Sequence, residues 1–289
     1  MKPRVVQLVS LLALLFHAGC ASRHFYYPDQ QVYETPAYPY EDVTFNSLDG
    51  TRLQARWIPA RTKEPQGTVL HLHGNAANLT AHAGYIEWLP PRGYHVLMVD
   101  YRGYGASESK RPTRRGGYLD SAAALMWLRS RNDLTGGQPL YVLGQSLGGA
   151  NALAILGRGY TEGVSAVVID STFYSYRSMV ESALGTFPGG WPVKKLLALL
   201  VIGNGYSPGP RVAEISPVPI MFIHGTDDRT IPYAHGERLY VEAGEPKVLV
   251  TIPGGHHTDA FLRYGDLYRD QVIAFFEQYQ APPPQSRLR

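Results

Sequence analysis

The sequence predicts an α/β fold: a mostly parallel central sheet covered by helices on both faces, with a cap insertion. Three observations point there. Short apolar runs of strand composition alternate with stretches of helical spacing, the order that lays parallel strands side by side under two layers of helix. One such run, Leu140–Leu143, passes through Gly144-Gln145-Ser146-Leu147-Gly148 directly into an apolar stretch of helical composition, Ala150–Leu156. The chain has 289 residues, 44% hydrophobic and 18% charged, enough to bury a full sheet in one large domain.

The N-terminus reads as a signal peptide over residues 1–19: a basic start with Lys2 and Arg4, an apolar run Val5–Phe16, and small residues before Cys20. The run is too short to span a bilayer comfortably. Cys20 is the single cysteine of the chain, so no intramolecular disulfide forms. Its place resembles the lipobox of bacterial lipoproteins, although His17 stands where Leu is usual. The resemblance implies an acylated Cys20, with Ala21 after it pointing to the periplasmic side of an outer membrane. An ordinary secretory peptide cut near Ala18 is the alternative. Without Lys2 and Arg4, two of the 27 Lys+Arg, the remaining 25 face 24 Asp+Glu, a balance that excludes a nucleic-acid footprint.

Residues 20–40 form the lipidated Cys and a Tyr- and Pro-rich tether with little regular structure. The domain proper runs from 41 to 280. It opens with an antiparallel pair, Asp42–Ser47 and Thr51–Ile58, joined at Asp49-Gly50. Strands follow at Gly67–Leu72 and Tyr94–Val99, with a helix at about Leu79–Pro90 between them. A basic loop, Glu108–Gly117, leads to a helix at Tyr118–Arg131. After the Ser146 stretch come strands at Val164–Ile169, Val218–Ile223 and Lys247–Ile252, with helices near Ala234–Glu242 and Leu267–Tyr279. Residues 171–210 are too long for a single crossover helix and read as a cap insertion. Its apolar run Leu196–Ile202 is expected either as a wall over the site or as core. Residues 281–289 are a Pro-rich tail.

The chemistry centres on Ser146. A serine hydroxyl must be exposed on a tight turn, within reach of a base and near backbone N–H donors, and small residues two before and two after it permit that turn. A bare GxSxG string also describes a Gly-rich strand-to-helix turn. Here the flanking strand and helix, and acid and His candidates downstream, favour the nucleophile. The N–H of Leu147, just after it, is the first oxyanion donor. The acid lies in His224-Gly225-Thr226-Asp227-Asp228, immediately after an apolar strand, and the base in Gly255-His256-His257. Adjacent residues cannot both face one partner, so one Asp and one His must be chosen; Asp170, at the end of the strand after the elbow, is a further candidate acid. His71 and His73 lack a nearby carboxylate and read as structural, so no metal is expected. Asp100–Ser107, DYRGYGAS, lacks the third glycine of a dinucleotide fingerprint and reads as a structural loop, so no cofactor is expected.

Five ordered motifs, HGN at 73–75, DYRGYGAS at 100–107, GQSLG at 144–148, HGTDDRTIP at 224–232 and GHHTD at 255–259, resemble the alpha/beta-hydrolase superfamily, and its Bem-like serine-hydrolase branch in particular. That resemblance spans about Phe25 to Phe276. It implies the alpha/beta-hydrolase fold and chooses Asp228 as the acid and His257 as the base, with Thr258 where Asn is common. It also implies the N–H of Asn75 as the second oxyanion donor. The expected activity is hydrolysis of a carboxylic ester or thioester by a monomer acting on a small acyl substrate. A serine peptidase of the same fold, or a non-catalytic envelope lipoprotein binding a lipid or protein partner, is the competing reading.

Overall fold

The computed structural model describes residues 25–35, 37–185 and 190–281. The signal peptide, Cys20 and residues 282–289 of the tail lie outside them. In chain order the strands are β1 (Tyr27–Pro28), β2 (Glu41–Asn46), β3 (Arg52–Ile58), β4 (Gly67–Leu72) and β5 (Ala76–Ala77). They continue with β6 (Tyr94–Val99), β7 (Leu140–Gln145), β8 (Val164–Asp170), β9 (Ile220–Gly225) and β10 (Lys247–Ile252). Eight of them form one sheet in the order β10-β9-β8-β7-β4-β6-β3-β2. Only β3 runs against its neighbours; all other pairings are parallel.

The central strands β4, β7, β8 and β9 are buried along their whole length because both faces are covered, whereas the edge strands β2 and β10 are partly exposed. Leu70, Leu72, Val99, Val142 and Ile169 point into one cluster, shared with the helices Arg114–Arg129, Leu147–Leu156 and Ala234–Glu242. Val69, Val96, Leu143 and Val168 point into the other, under Phe261 and the helix Asp266–Gln278. Burying each such side chain contributes about 1.5–3 kcal/mol, largely offset by chain ordering. Since β4 and β6–β10 run the same way, every loop after them opens on one edge of the sheet, where ligands bind in such folds.

Three segments differ from the sequence reading, and the apolar run Leu196–Ile202 is a fourth, its exposed leucines forming neither a wall over Ser146 nor core. The expected helix at Leu79–Pro90 is two stretches of 3-10 helix, Leu79–Tyr85 and Pro90–Arg92. Asp100 Oδ1 accepts the N–H of Leu79 at 2.7 Å, and Gly84 and the Pro90-Pro91 pair oppose a continuous α-helix. The helix expected from Tyr118 begins at Arg114, capped by Thr113, whose Oγ1 accepts the N–H of Gly116 at 2.9 Å. The end of the tether is ordered: β1 pairs with β5, and Asn78 Nδ2 donates to the Gln31 carbonyl at 2.7 Å and to Asp29 Oδ1 at 3.0 Å.

Between β8 and β9 the insertion forms the helices Tyr176–Ala183 and Gly190–Val201, which pack on each other, and a 3-10 stretch Gly209–Ile215 that packs on the elbow helix. Ser175 and Ser178 start the first helix with reciprocal side-chain bonds to each other's N–H, at 3.0 and 3.1 Å. In the second, Ala198 is buried and Ile202 follows it inward, while Leu196, Leu199 and Leu200 face solvent. Two grooves bounded by this helix are lined by Tyr174, Ser178, Glu181 and Arg238, and Ser146 borders neither.

Candidate active site

Ser146 sits at φ 53°, ψ −116°, between the end of β7 and the helix Leu147–Leu156. An L-residue tolerates that conformation only where its surroundings enforce it. Here the glycines make it possible: a Cβ on Gly148 would lie 1.9 Å from the Leu72 carbonyl oxygen, and one on Gly144 2.7 Å from Gly149 Cα. Hydrogen bonds then clamp the turn. Ser146 N–H donates to the Asp170 carbonyl at 2.8 Å, and Thr172 Oγ1 donates to the Ser146 carbonyl at 2.6 Å. The turn throws the hydroxyl up from the sheet edge.

Loops after β9 and β10 bring the partners. His257 Nε2 lies 3.0 Å from Ser146 Oγ, and its Nδ1 lies 2.7 Å from Asp228 Oδ2. Asp228 is buried; its Oδ1 accepts the N–H groups of Thr230 and Ile231, both at 2.8 Å. Burial alone would raise its pKa, but hydrogen bonds from the flanking imidazoles and from Ile231 outweigh it and hold the carboxyl well below the usual carboxylate range. His224 Nε2 stands 2.8 Å from the Ile231 carbonyl and 3.4 Å from Asp228 Oδ2, so its N–H is shared between the two acceptors.

The rejected neighbours go elsewhere. Asp227 is exposed, with its backbone paired to the Gly255 carbonyl at 2.9 Å, and His256 is exposed with Nδ1 3.2 Å from the Asp227 carbonyl. Asp170 is buried beneath the elbow, accepting from Gln145 Nε2 at 3.2 Å and Ser171 Oγ at 2.9 Å, and burial raises its pKa. Its contribution to the site runs through Ser171, whose Oγ also accepts the N–H of Thr258 at 3.1 Å, next to His257. Thr258 adopts a left-handed φ of 54° there. This tie was not legible in the sequence, because it joins residues 87 apart.

The HGN loop abuts Ser146: a Cβ on Gly74 would lie 3.7 Å from Ser146 Cβ. Leu147 is the first residue of its helix, so its N–H has no intrahelical carbonyl to meet. The DYRGYGAS motif holds the loop from behind. Tyr101 OH donates to the His73 carbonyl at 3.1 Å, Tyr104 OH to the Asn75 carbonyl at 2.8 Å. The motif is itself fastened by Arg102, which bridges Asp120 and Asp49, each at 2.7 Å. His71 and His73 are buried; His71 Nε2 faces Gln145 Oε1 at 3.0 Å and His73 Nδ1 the Gly74 carbonyl at 2.7 Å. Against the expectation of no nearby carboxylate, His73 Nε2 lies 3.4 Å from Asp100 Oδ1, brought in from the end of β6. His82, which no spacing argument singled out, stacks on His73 at 5.1 Å and reaches the same loop. Among the described residues, no group of three or more His, Cys, Asp or Glu could hold a metal ion.

Residues 67–200 match the alpha/beta hydrolase fold family. Beyond that span, the chain is 34% identical over 249 residues to an alpha/beta hydrolase domain-containing protein of Arabidopsis thaliana, covering 83% of this chain and 79% of that one. The chain belongs to the alpha/beta hydrolase family. It is also 41% identical over 279 residues to the YfhR protein of Escherichia coli strain K12, covering 94% of each. Among solved structures, an esterase from Pyrococcus furiosus superposes with a TM-score of 0.70 at 21% identity, over 88% of this alpha/beta hydrolase and all of the esterase. At that identity the likeness establishes the fold.

Proposed function

We propose that the chain is a serine hydrolase of carboxylic esters or thioesters that works through an acyl-enzyme. The observation that carries the reading is the single imidazole of His257 bridging Asp228 Oδ2 and Ser146 Oγ at 2.7 and 3.0 Å. In this mechanism His257 Nε2 takes the proton as Ser146 Oγ attacks the acyl carbon, and Asp228 fixes the tautomer and stabilises the imidazolium. The backbone N–H groups of Leu147 and Asn75 receive the developing oxyanion, a pre-set arrangement in which one donor is typically worth about 3 kcal/mol. Collapse expels the alcohol or thiol, protonated by His257; water then enters by the same base and releases the acid. The esterases among the structural relatives and the five ordered motifs support this reading, as does the likeness of those motifs to the Bem-like branch.

Anchorage follows from the sequence: we place the protein as a monomer at the bacterial cell envelope, held by an acylated Cys20 that lies outside the described residues. The test of the function is turnover of p-nitrophenyl acetate by the purified chain. Ser146→Ala is expected to lose at least about a thousandfold with its melting curve intact, because triad members act as a unit. Turnover near wild type in that variant would remove Ser146 from the chemistry.

A further inference from the structure

We propose that the helix Gly190–Val201 is a membrane-docking surface that lies in the headgroup layer of an anionic bilayer. The esterase reading enters only in the consequence that this helix presents the site to lipid-borne esters. The helix is unusually apolar on its open side: Trp191 is 64% exposed, Leu196 55%, Leu199 54% and Leu200 43%. Residues this large are normally turned inward, and a contiguous exposed patch of them marks a surface that meets something.

Charge selects the occupant. Residues 182–213 contain no Asp or Glu, while Lys194 and Lys195 lie on this helix, with Lys195 Nζ 3.9 Å from the centre of the Trp191 ring. An apolar face flanked by Lys, with Trp at its start, is the composition of an interfacial helix. Glu181 lines the two grooves together with Trp191, Lys194, Lys195 and Leu199, so one carboxylate stands against the two lysines, while Arg238 borders both grooves and keeps their charge positive. At twelve residues and about 1.5 Å per residue the helix is far shorter than the roughly 30 Å of a hydrocarbon core, so it lies on a membrane and does not cross one.

The way the chain enters the domain points to the same side. Phe25, the first described residue, packs on Tyr176 at 5.0 Å and Phe173 at 6.2 Å, and Tyr176 opens the helix that supports Gly190–Val201. Arg114 stands over the Tyr176 ring at 5.3 Å and donates to the carbonyl of Gly203, just past the end of the docking helix. It belongs to a basic run, Lys110, Arg111, Arg114 and Arg115, in which Arg111 and Arg115 are exposed. The apolar N-terminal run ends at Phe16, nine residues before Phe25, and at roughly 3.5 Å per residue that limits its distance from this face to about 30 Å. With the chain held by an acylated Cys20, as proposed above, the anchor lies five residues before Phe25 and the bilayer falls within that reach of the exposed leucines and the basic rim.

The test uses the full chain on vesicles of phosphatidylcholine and phosphatidylglycerol, with and without brominated acyl chains, read by tryptophan emission. The expected result is bromolipid quenching that disappears in Trp191→Phe and falls at least threefold in the Leu196→Glu/Leu199→Glu/Leu200→Glu variant. Hydrolysis of a long-chain ester carried in those vesicles should fall at least tenfold in the triple variant while p-nitrophenyl acetate turnover is unchanged. Absence of Trp191 quenching in the wild-type chain overturns the proposal without reference to any variant's folding. Absence of quenching together with a dimer, seen by sedimentation and lost in the triple variant, overturns it in favour of a protein interface. Quenching of Trp191 with no hydrolysis of either ester upholds the docking surface and overturns the esterase reading.

Discussion

Two apolar helices in this molecule, Leu147–Leu156 and Gly190–Val201, are made of similar residues and end in opposite environments. Every residue of the first is buried against the sheet, and the turn before it is clamped from β4 and β8; in the second only Ala198 is buried, and the leucines around it face outward. The first helix fixes one atom, Ser146 Oγ, relative to His257 and Asp228, a task that needs rigid backbone on all sides. The second fixes nothing in the site. The comparison separates a region where structure sets chemistry from one where exposed composition sets what the protein meets.

The largest expected effect lies in the rigid region. Asp228→Asn should lower ester turnover by about 10³–10⁴-fold, since a neutral amide on Nδ1 favours the wrong tautomer of His257, whereas Asp227→Asn, one residue away and exposed, should leave it within about threefold. Equal losses in side-by-side kinetics would mean the two carboxylates are not divided as the geometry divides them. Next, Arg102→Met strips a buried Asp120 of its partner and should lower the unfolding free energy by about 3–5 kcal/mol, while Leu196→Ser on the exposed helix should stay within about 0.5 kcal/mol. Urea titrations that gave comparable losses would erase the contrast between the regions.

A smaller effect is acid sensitivity. Burial lowers the pKa of His71 to about 3 and of His235 to about 4, and neighbouring charges add to this in each case. The unfolded chain therefore takes up protons near pH 6.5 that the folded chain refuses. Stability is at its full value above that pH and is lost as pH falls toward 4, by about 1.4 kcal/mol per pH unit for each histidine. His71→Gln, which keeps a donor for Gln145, should remove about one such increment; an unchanged slope in unfolding titrations between pH 6 and 4.5 would show that His71 is not the group refusing the proton.

Much of the fold was legible because both faces of the sheet are covered, so Gly67–Leu72, Tyr94–Val99 and Leu140–Leu143 stand out as short, mostly apolar runs. The strand-turn-helix around Ser146 was legible because its glycines have no alternative: the space beside Gly144 and Gly148 is filled by backbone. What the sequence left hidden depends on partners distant in the chain. Residues 79–90 have helical periodicity, yet Asp100 and Gly84 turn them to 3-10 geometry. The choice of Asp228 over Asp227 came from motif resemblance, whereas in the structure it follows from the turn that gives Asp228 Oδ1 two backbone donors. The tie from Ser171 to Thr258 has no local signature at all.

The central claim is that Ser146 Oγ is the nucleophile made reactive by His257, and labelling with a fluorophosphonate, read by peptide mass spectrometry, tests it most directly. The account predicts one covalent adduct per chain, on Ser146, absent in Ser146→Ala and formed far more slowly in His257→Gln. An adduct on another residue, or no adduct on a chain that melts cooperatively, would contradict it.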